Sequence, residues 1–410
     1  MPLESRRGWK ARAASLLNDL LPWGERGRIA REIGLSPQAL SIMLDPRNPR
    51  APRAGVVWGL CACLRRRGVS EPLIQELAVS LLMASPARVA IPWDAGVPES
   101  WTPAELVEEV ESLLLHQEPR YDRRLQRALR LAGLLEELAE RLSPRDPWAA
   151  LAQAARAVVW SAAAGLANSM DRLGQALRWG ERARRLAEGL LERETLLDPW
   201  MRRRLGERIY AVGRWICWAL GADCSAYYNL GAPGRALEIL EGCARWDARL
   251  AREEACAPFL PEFREDRVIG RLAYASAAGD LSFREIRELY LAGDRFLQSG
   301  KPSNPRLFDI GLRRYAAWAV LRSGSAAPSA RRWARRLLEP ALKETEGLDP
   351  LVRVLVLRAW GELRRQEGEH EEARAAVQEA VREAYRACLF NQLAKIRRNW
   401  GNRALAGTPF

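Results

Sequence analysis

Along nearly the whole chain, apolar side chains recur at three- and four-residue intervals, the period that lines one face of an α-helix. No alternating run of strand length interrupts them, and Gly and Pro fall between the periodic segments. The pattern predicts an all-α protein. One stretch breaks it: residues 85–103, SPARVAIPWDAGVPESWTP, contain Pro86, Pro92, Pro98 and Pro103, which do not fit inside regular helices. A linker is expected there, separating a domain over residues 1–84 from a larger one over residues 104–410. Ser100 or Thr102, followed by Pro103 and Glu105, reads as a cap and the first turn of the next helix.

Residues 25–45 carry the most informative local pattern. A helix from about Arg26 to Ile33 is expected to stop at Gly34, which tolerates the left-handed conformation of a tight turn. Ser36 is a good N-cap, and Pro37 suits the first helical position, where its missing N–H costs nothing. A second helix then runs to about Leu44. Ile29, Ala30 and Ile33 face Leu35, Leu40 and Leu44, and the small Ala30 permits a close approach. This is the spacing of a helix-turn-helix.

The run from Ile29 to Ser41 resembles the lambda-repressor/Cro-like (XRE-type) helix-turn-helix family, over roughly residues 9–68. The resemblance implies double-stranded DNA as a partner, with the second helix of the motif in the major groove. It places Arg28, Ser36, Pro37, Gln38, Ser41 and Ile42 toward the nucleic acid. Gln38 suits an adenine edge, and Ser41 a base or a phosphate. Ile42 and Asp45 depart from the polar or basic residues usual at their positions, and phosphate would repel Asp45. Past them no acidic residue occurs from Pro46 to Val69. Arg47, Arg50 and Arg53 on a proline-stiffened loop, and Arg65, Arg66 and Arg67, read as phosphate contacts that position the helix without reading sequence.

Charge agrees with that reading. The 410-residue chain has a net charge of +13. Residues 1–84 hold 13 Lys and Arg against 7 Asp and Glu, so a small segment carries nearly half the excess. Almost all of the basic residues are arginine, the lysines being Lys10, Lys301, Lys343 and Lys395.

Beyond the linker, residues 356–381 combine Trp360, Gly361, a turn glycine at 368, Ala373, Val377 and Ala380. Residues 222–243 repeat the scheme with Tyr227, Gly231, Ala236 and Leu240. Weaker copies surround Gly174-Gln175-Ala176, Ala330 to Ala334, and Gly279 to Arg287. These segments resemble tetratricopeptide repeats across about residues 105–400, with irregular spacing that implies longer hairpins. The implied architecture is a helical-hairpin solenoid whose inner face binds a peptide or protein.

A repressor-like domain joined to such an array resembles the peptide-responsive transcriptional regulators of bacteria. That resemblance implies a homodimer, a signalling peptide or protein as ligand of the repeat domain, and two-fold symmetric operators. Asn168, Asn229 and Asn391, with Tyr227, are the candidate ligand-binding residues, because a side-chain amide both donates and accepts hydrogen bonds. Ordinary caps or surface positions are the alternative for these asparagines.

The remaining chemistry is expected to be structural. His116 and His370 have no partners at metal-ligand spacing, so neither a metal nor another cofactor is expected. Cys61 and Cys63 point to different helix faces. Seven cysteines at irregular spacing give no disulfide scheme and fit a reducing cytoplasm. No phosphate-cradling glycine loop or nucleophile elbow occurs, so no enzyme is expected. No apolar run is read as reaching the roughly 18 to 20 residues that span a bilayer, so no membrane partner is expected. Among 16 tryptophans, Trp148, Trp160, Trp179, Trp215 and Trp218 are expected in the hairpin core, with an aromatic-lined groove as the alternative. A protein-interaction adaptor and an RNA-binding factor remain the competing functions.

Overall fold

A computed structural model describes residues 6–21, 25–33, 35–45, 54–70, 73–74, 77, 80–81, 102–114, 118–143, 146–279, 281–300, 302, 304–323 and 327–401. Among these residues every regular element is helical and no strand occurs. The linker residues 85–101 and the turn residue Gly34 lie outside the described residues.

Four helices of the N-terminal unit have bounds among the described residues: α1 (Arg6–Leu20), α2 (Glu25–Glu32), α3 (Pro37–Leu44) and α4 (Ala54–Arg66). Two of them have only eight residues, too short to persist in isolation. Tertiary packing holds them. Ile29, Ala30, Val57, Leu60 and Leu64 are fully buried, with Leu17 and Leu40 nearly so. The start of α3 follows its sequence closely. Ser36 Oγ accepts from the Ala39 backbone N–H at 3.0 Å, and Pro37 is the first helical residue.

The larger region begins at α5 (Pro103–Leu114), and Thr102 and Glu105 close a reciprocal cap on it. It continues through α6 (Tyr121–Arg141), α7 (Pro147–Ser169), α8 (Leu173–Leu191), α9 (Pro199–Leu205), α10 (Ile209–Leu220), α11 (Cys224–Asn229), α12 (Pro233–Gly242) and α13 (Asp247–Arg252). Then come α14 (Leu260–Ala278), α15 (Phe283–Gln298), α16 (Pro305–Arg322), α17 (Pro328–Glu344), α18 (Pro350–Gln366), α19 (His370–Arg386) and α20 (Phe390–Trp400). An Asp-Pro or Asn-Pro pair starts α7, α9, α16 and α18: Asp146, Asp198, Asn304 and Asp349 each accept from a first-turn backbone N–H. The acceptor satisfies an orphan donor, and the proline fixes the helical φ beside it.

Consecutive helices pack as pairs, α7 on α8, α16 on α17 and α18 on α19. The α18–α19 pair shows why small residues recur at these positions. A Cβ on Gly361 would lie 2.8 Å from Val377 Cγ2 and 3.3 Å from the Ala373 carbonyl oxygen. The turn between them places Gly368 at φ +84°, where glycine alone is unstrained. Ala176, Ala236, Ala330, Ala334 and Ala373 are all fully buried.

The last helices return to the first ones. The Tyr121 backbone N–H donates to the Ala387 carbonyl at 3.2 Å. Asp349 accepts from Tyr121 Oη at 2.6 Å and from Arg124 Nη1 at 2.9 Å. Helix α20 packs on α7. An open solenoid restricts each repeat to its neighbours; here residues more than two hundred positions apart bond directly.

The membrane expectation needs one correction. Residues Trp148–Ser169 of α7 are long and apolar enough to cross a bilayer by length and composition. The alanine-rich sequence concealed this, because no single run is strongly hydrophobic. Most of the helix is buried within the fold, and a helix covered on all sides has no need of a polar face. Trp160, Trp179 and Trp215 are buried as expected, with the Trp160 and Trp179 ring centroids 5.7 Å apart.

Candidate functional site

The first candidate is the outer face of α3. Ser36, Pro37, Gln38, Ser41, Ile42 and Asp45 are all exposed, while Leu40 points into the core. Gln38, Ser41, Ile42 and Asp45 follow three- and four-residue spacing and form one stripe. Ile42, in the middle of that stripe, is 49% exposed. Arg28 is exposed on α2 and ion-pairs with Glu25 at 3.0 Å. Arg47, Arg50 and Arg53 lie outside the described residues.

Arg66 and Arg67, expected to hold phosphates, bond Glu32 in the absence of nucleic acid. Arg66 Nη2 reaches Glu32 Oε2 at 3.1 Å, and Arg67 bonds both oxygens of the same carboxylate. The Cys63 thiol donates to it at 3.2 Å. The Arg67 hydrogen bond, then that from Cys63, holds the Glu32 carboxyl down at about 2. This network braces α4 against α2. Arg65, the third of the series, is exposed.

The second candidate lies where the larger region closes. Asn168 lies in the last turn of α7, Asn229 ends α11, and Asn391 lies in the first turn of α20. The fold brings them into one network. Asn229 Nδ2 donates to Asn168 Oδ1 at 2.7 Å, Asn168 Nδ2 to Ser225 Oγ at 3.3 Å, and Asn391 Nδ2 to the Asn168 carbonyl at 2.8 Å. Asn168 and Asn391 are buried; the Asn168 amide is spent on Ser225 and Asn229, and the Asn391 amide on the Asn168 backbone carbonyl. Asn229 also accepts from Lys395 Nζ. Tyr227 is half-buried against the apolar core, and burial pushes its phenol up to about 12.

Asn229 leads from this network into a cavity of about 230 Å³. Sequence reasoning missed its most prominent residues. Arg314 and Arg322 come from α16, Arg358 from α18, and Lys395 and Arg398 from α20; Tyr228 and Trp318 supply aromatic walls. Among the described residues, no carboxylate lines it. Arg314 is 9% exposed, and its Nε and Nη1 have no hydrogen-bond partner among the described residues. Arg358 donates to the neutral Gln392 and stacks 5.7 Å from the Trp318 ring centroid. Lys395 lies 5.3 Å from that of Tyr228.

The electrostatics record this crowding. Burial, and then the charge of Arg314, pulls the Arg358 guanidinium down to about 10. Burial, then Arg358, Arg314 and Arg398, holds Lys395 well below its ordinary range. The carboxylate opposing that shift is Asp171, in the α7–α8 turn. A signal was present in the sequence: Arg314, Trp318 and Arg322 are four residues apart and share a helix face. What no local pattern reveals is that α11, α18 and α20 converge on that face.

Comparison with protein-family models, with curated proteins and with solved structures found no match.

Proposed function

We propose that the chain is a DNA-binding transcriptional regulator of the cytoplasm, in which α2 and α3 act as a helix-turn-helix. The larger region is then a tetratricopeptide-like array that dimerises and senses a peptide or protein. The observation carrying this reading is the geometry of α3. Its N-terminus is fixed by the Ser36 cap and its inner face by Leu40, so Gln38 and Ser41 project together from a rigid support. Such a helix end suits the major groove, where a glutamine pairs with adenine. The paired helices α7–α8, α16–α17 and α18–α19 support the array reading.

A second reading, an adaptor that docks on protein, draws on two specific features. Ile42 is exposed in the middle of the α3 stripe, and Arg66 and Arg67 are engaged by Glu32.

Anisotropy titration of duplex from the gene's upstream region against scrambled duplex, at two salt concentrations, separates the readings. The expected result is preference for the upstream duplex, weakened by salt. Gln38→Ala should reduce that preference about ten-fold, and Arg47/Arg50/Arg53→Ala should weaken both duplexes alike. No binding at low salt would overturn the DNA reading in favour of the adaptor, and equal binding to both duplexes would leave a nonspecific nucleic-acid binder.

A further inference from the structure

We propose that the cavity between α11, α16, α18 and α20 is a binding site for a compact polyanion, a small molecule bearing phosphate groups or several carboxylates. This goes beyond the peptide-or-protein reading of the array and stands whether or not α3 contacts DNA.

The argument begins with the cost of buried charge. Removing a guanidinium from water costs several kcal/mol unless a counter-charge and hydrogen bonds replace the lost hydration. At Arg124 and Arg184 this fold supplies the counter-charge. Arg124, 6% exposed, meets Asp349 at 2.9 Å, and Arg184 meets Asp223 at 3.2 Å. Around the cavity it does not. Among the described residues, no carboxylate stands within ion-pair distance of Arg314, Arg322, Arg358 or Lys395. Two nitrogens of the nearly inaccessible Arg314 are left unbonded. The protein-supplied partners of Arg358 and Lys395 are neutral amides and aromatic faces, which offset part of the cost.

Asp171 is a weak substitute for an anion. It lies outside the cavity lining, and burial raises its own carboxyl, so it holds its proton more readily than an exposed aspartate. A bound polyanion would supply the missing charge at the point where the cations converge. Arginine guanidinium groups present fixed forks of donors that match phosphate and carboxylate oxygens in pairs. Trp318 and Tyr228 would flank any planar part of the ligand. The volume of about 230 Å³ lies below that of a drug-sized pocket, which limits the ligand to a small molecule or the charged head of one.

Calorimetric titration of the full-length protein with pyrophosphate, ADP and citrate, at constant ionic strength, tests the assignment. Saturable one-to-one binding of at least one probe is expected, weakened at least ten-fold in Arg358→Met and in Arg314→Met. Preference for pyrophosphate and ADP over citrate would assign phosphate chemistry, and the reverse would assign a polycarboxylate. The Arg47/Arg50/Arg53→Ala protein should bind as the parent does, which separates this site from any anion affinity of the N-terminal unit. Helical circular dichroism guards against misfolding, and Lys395→Gln provides a milder third variant. Binding unchanged in all three folded cavity variants would overturn the proposal. So would heats no larger than those of added chloride for every probe.

Discussion

Arg358 and Arg364 stand six positions apart on α18 and are almost equally inaccessible, at 8% and 9% exposure. Their surroundings are opposite. Arg364 is ringed by Glu367, Glu369 and Glu372, with 3.2 Å to Glu367. Burial opposes its charge, but the carboxylates outweigh burial and hold its pKa above the ordinary value. Arg358 faces Gln392, a tryptophan ring and other cations, and its pKa moves down. One arginine completes a structural cluster; the other leaves a charge available. Residue type and surface exposure match; depth and partner differ, Arg358 lying deep in the fold while Arg364 meets its carboxylates close to the surface.

The contrast is sharpest in stability. Arg364→Ala would leave three carboxylates converging on an empty position, although Arg335 still reaches Glu367 at 2.7 Å. A loss of about 2–3 kcal/mol is expected in urea unfolding. A loss below about 0.5 kcal/mol would place Arg364 among ordinary surface pairs. Arg358→Met should move the other way or not at all. Without an anion present, trading an uncompensated charge for an apolar chain of similar length should leave stability unchanged or raise it by about 1 kcal/mol. The lost donor to Gln392 keeps the gain small. Destabilisation as large as that of Arg364→Ala would erase the distinction.

The last effect concerns pH. Lys395 titrates below its ordinary 10.5 in the fold. Between that lowered value and 10.5, the unfolded chain binds a proton that the folded one has released, so unfolding free energy rises with pH across the window. The urea midpoint of the parent should therefore climb relative to Lys395→Met as pH increases toward 10.5. Parallel curves for the two proteins would mean that Lys395 does not feel its neighbours.

Much of the fold was legible because its signals are local. Gly231 and Gly368 sit at φ +80° and +84° in the turns where they were expected. The Thr102–Pro103–Glu105 start needs nothing beyond its own backbone donors. The candidate site was legible in fragments. Asn168, Asn229 and Asn391 were chosen singly, for what an amide offers, and only folding brings them together. Tyr227 was singled out, but its neighbour Tyr228 lines the cavity. In a chain so rich in arginine, the Arg314–Trp318–Arg322 spacing does not stand out from the other basic helix faces. Arg66 and Arg67 show the converse: a basic run that reads as a nucleic-acid clamp is engaged by Glu32, a residue on another helix.

The bonds joining Tyr121 and Arg124 to Asp349, and Asn168 to Asn391, have a mechanical consequence. An open array unzips from its tips, each end hairpin detaching at little expense to the rest. With α6 and α7 clasped to the start of α18 and to α20, the two sides of the clasp are not free to peel apart, and slack introduced into a turn between them must be absorbed around the whole circuit. Helix α20 acts as the hasp rather than as a terminal ornament, and the cationic cavity sits directly beside it. Lys395 and Arg398 of that same helix line the cavity, so the latch and the cationic site share one element.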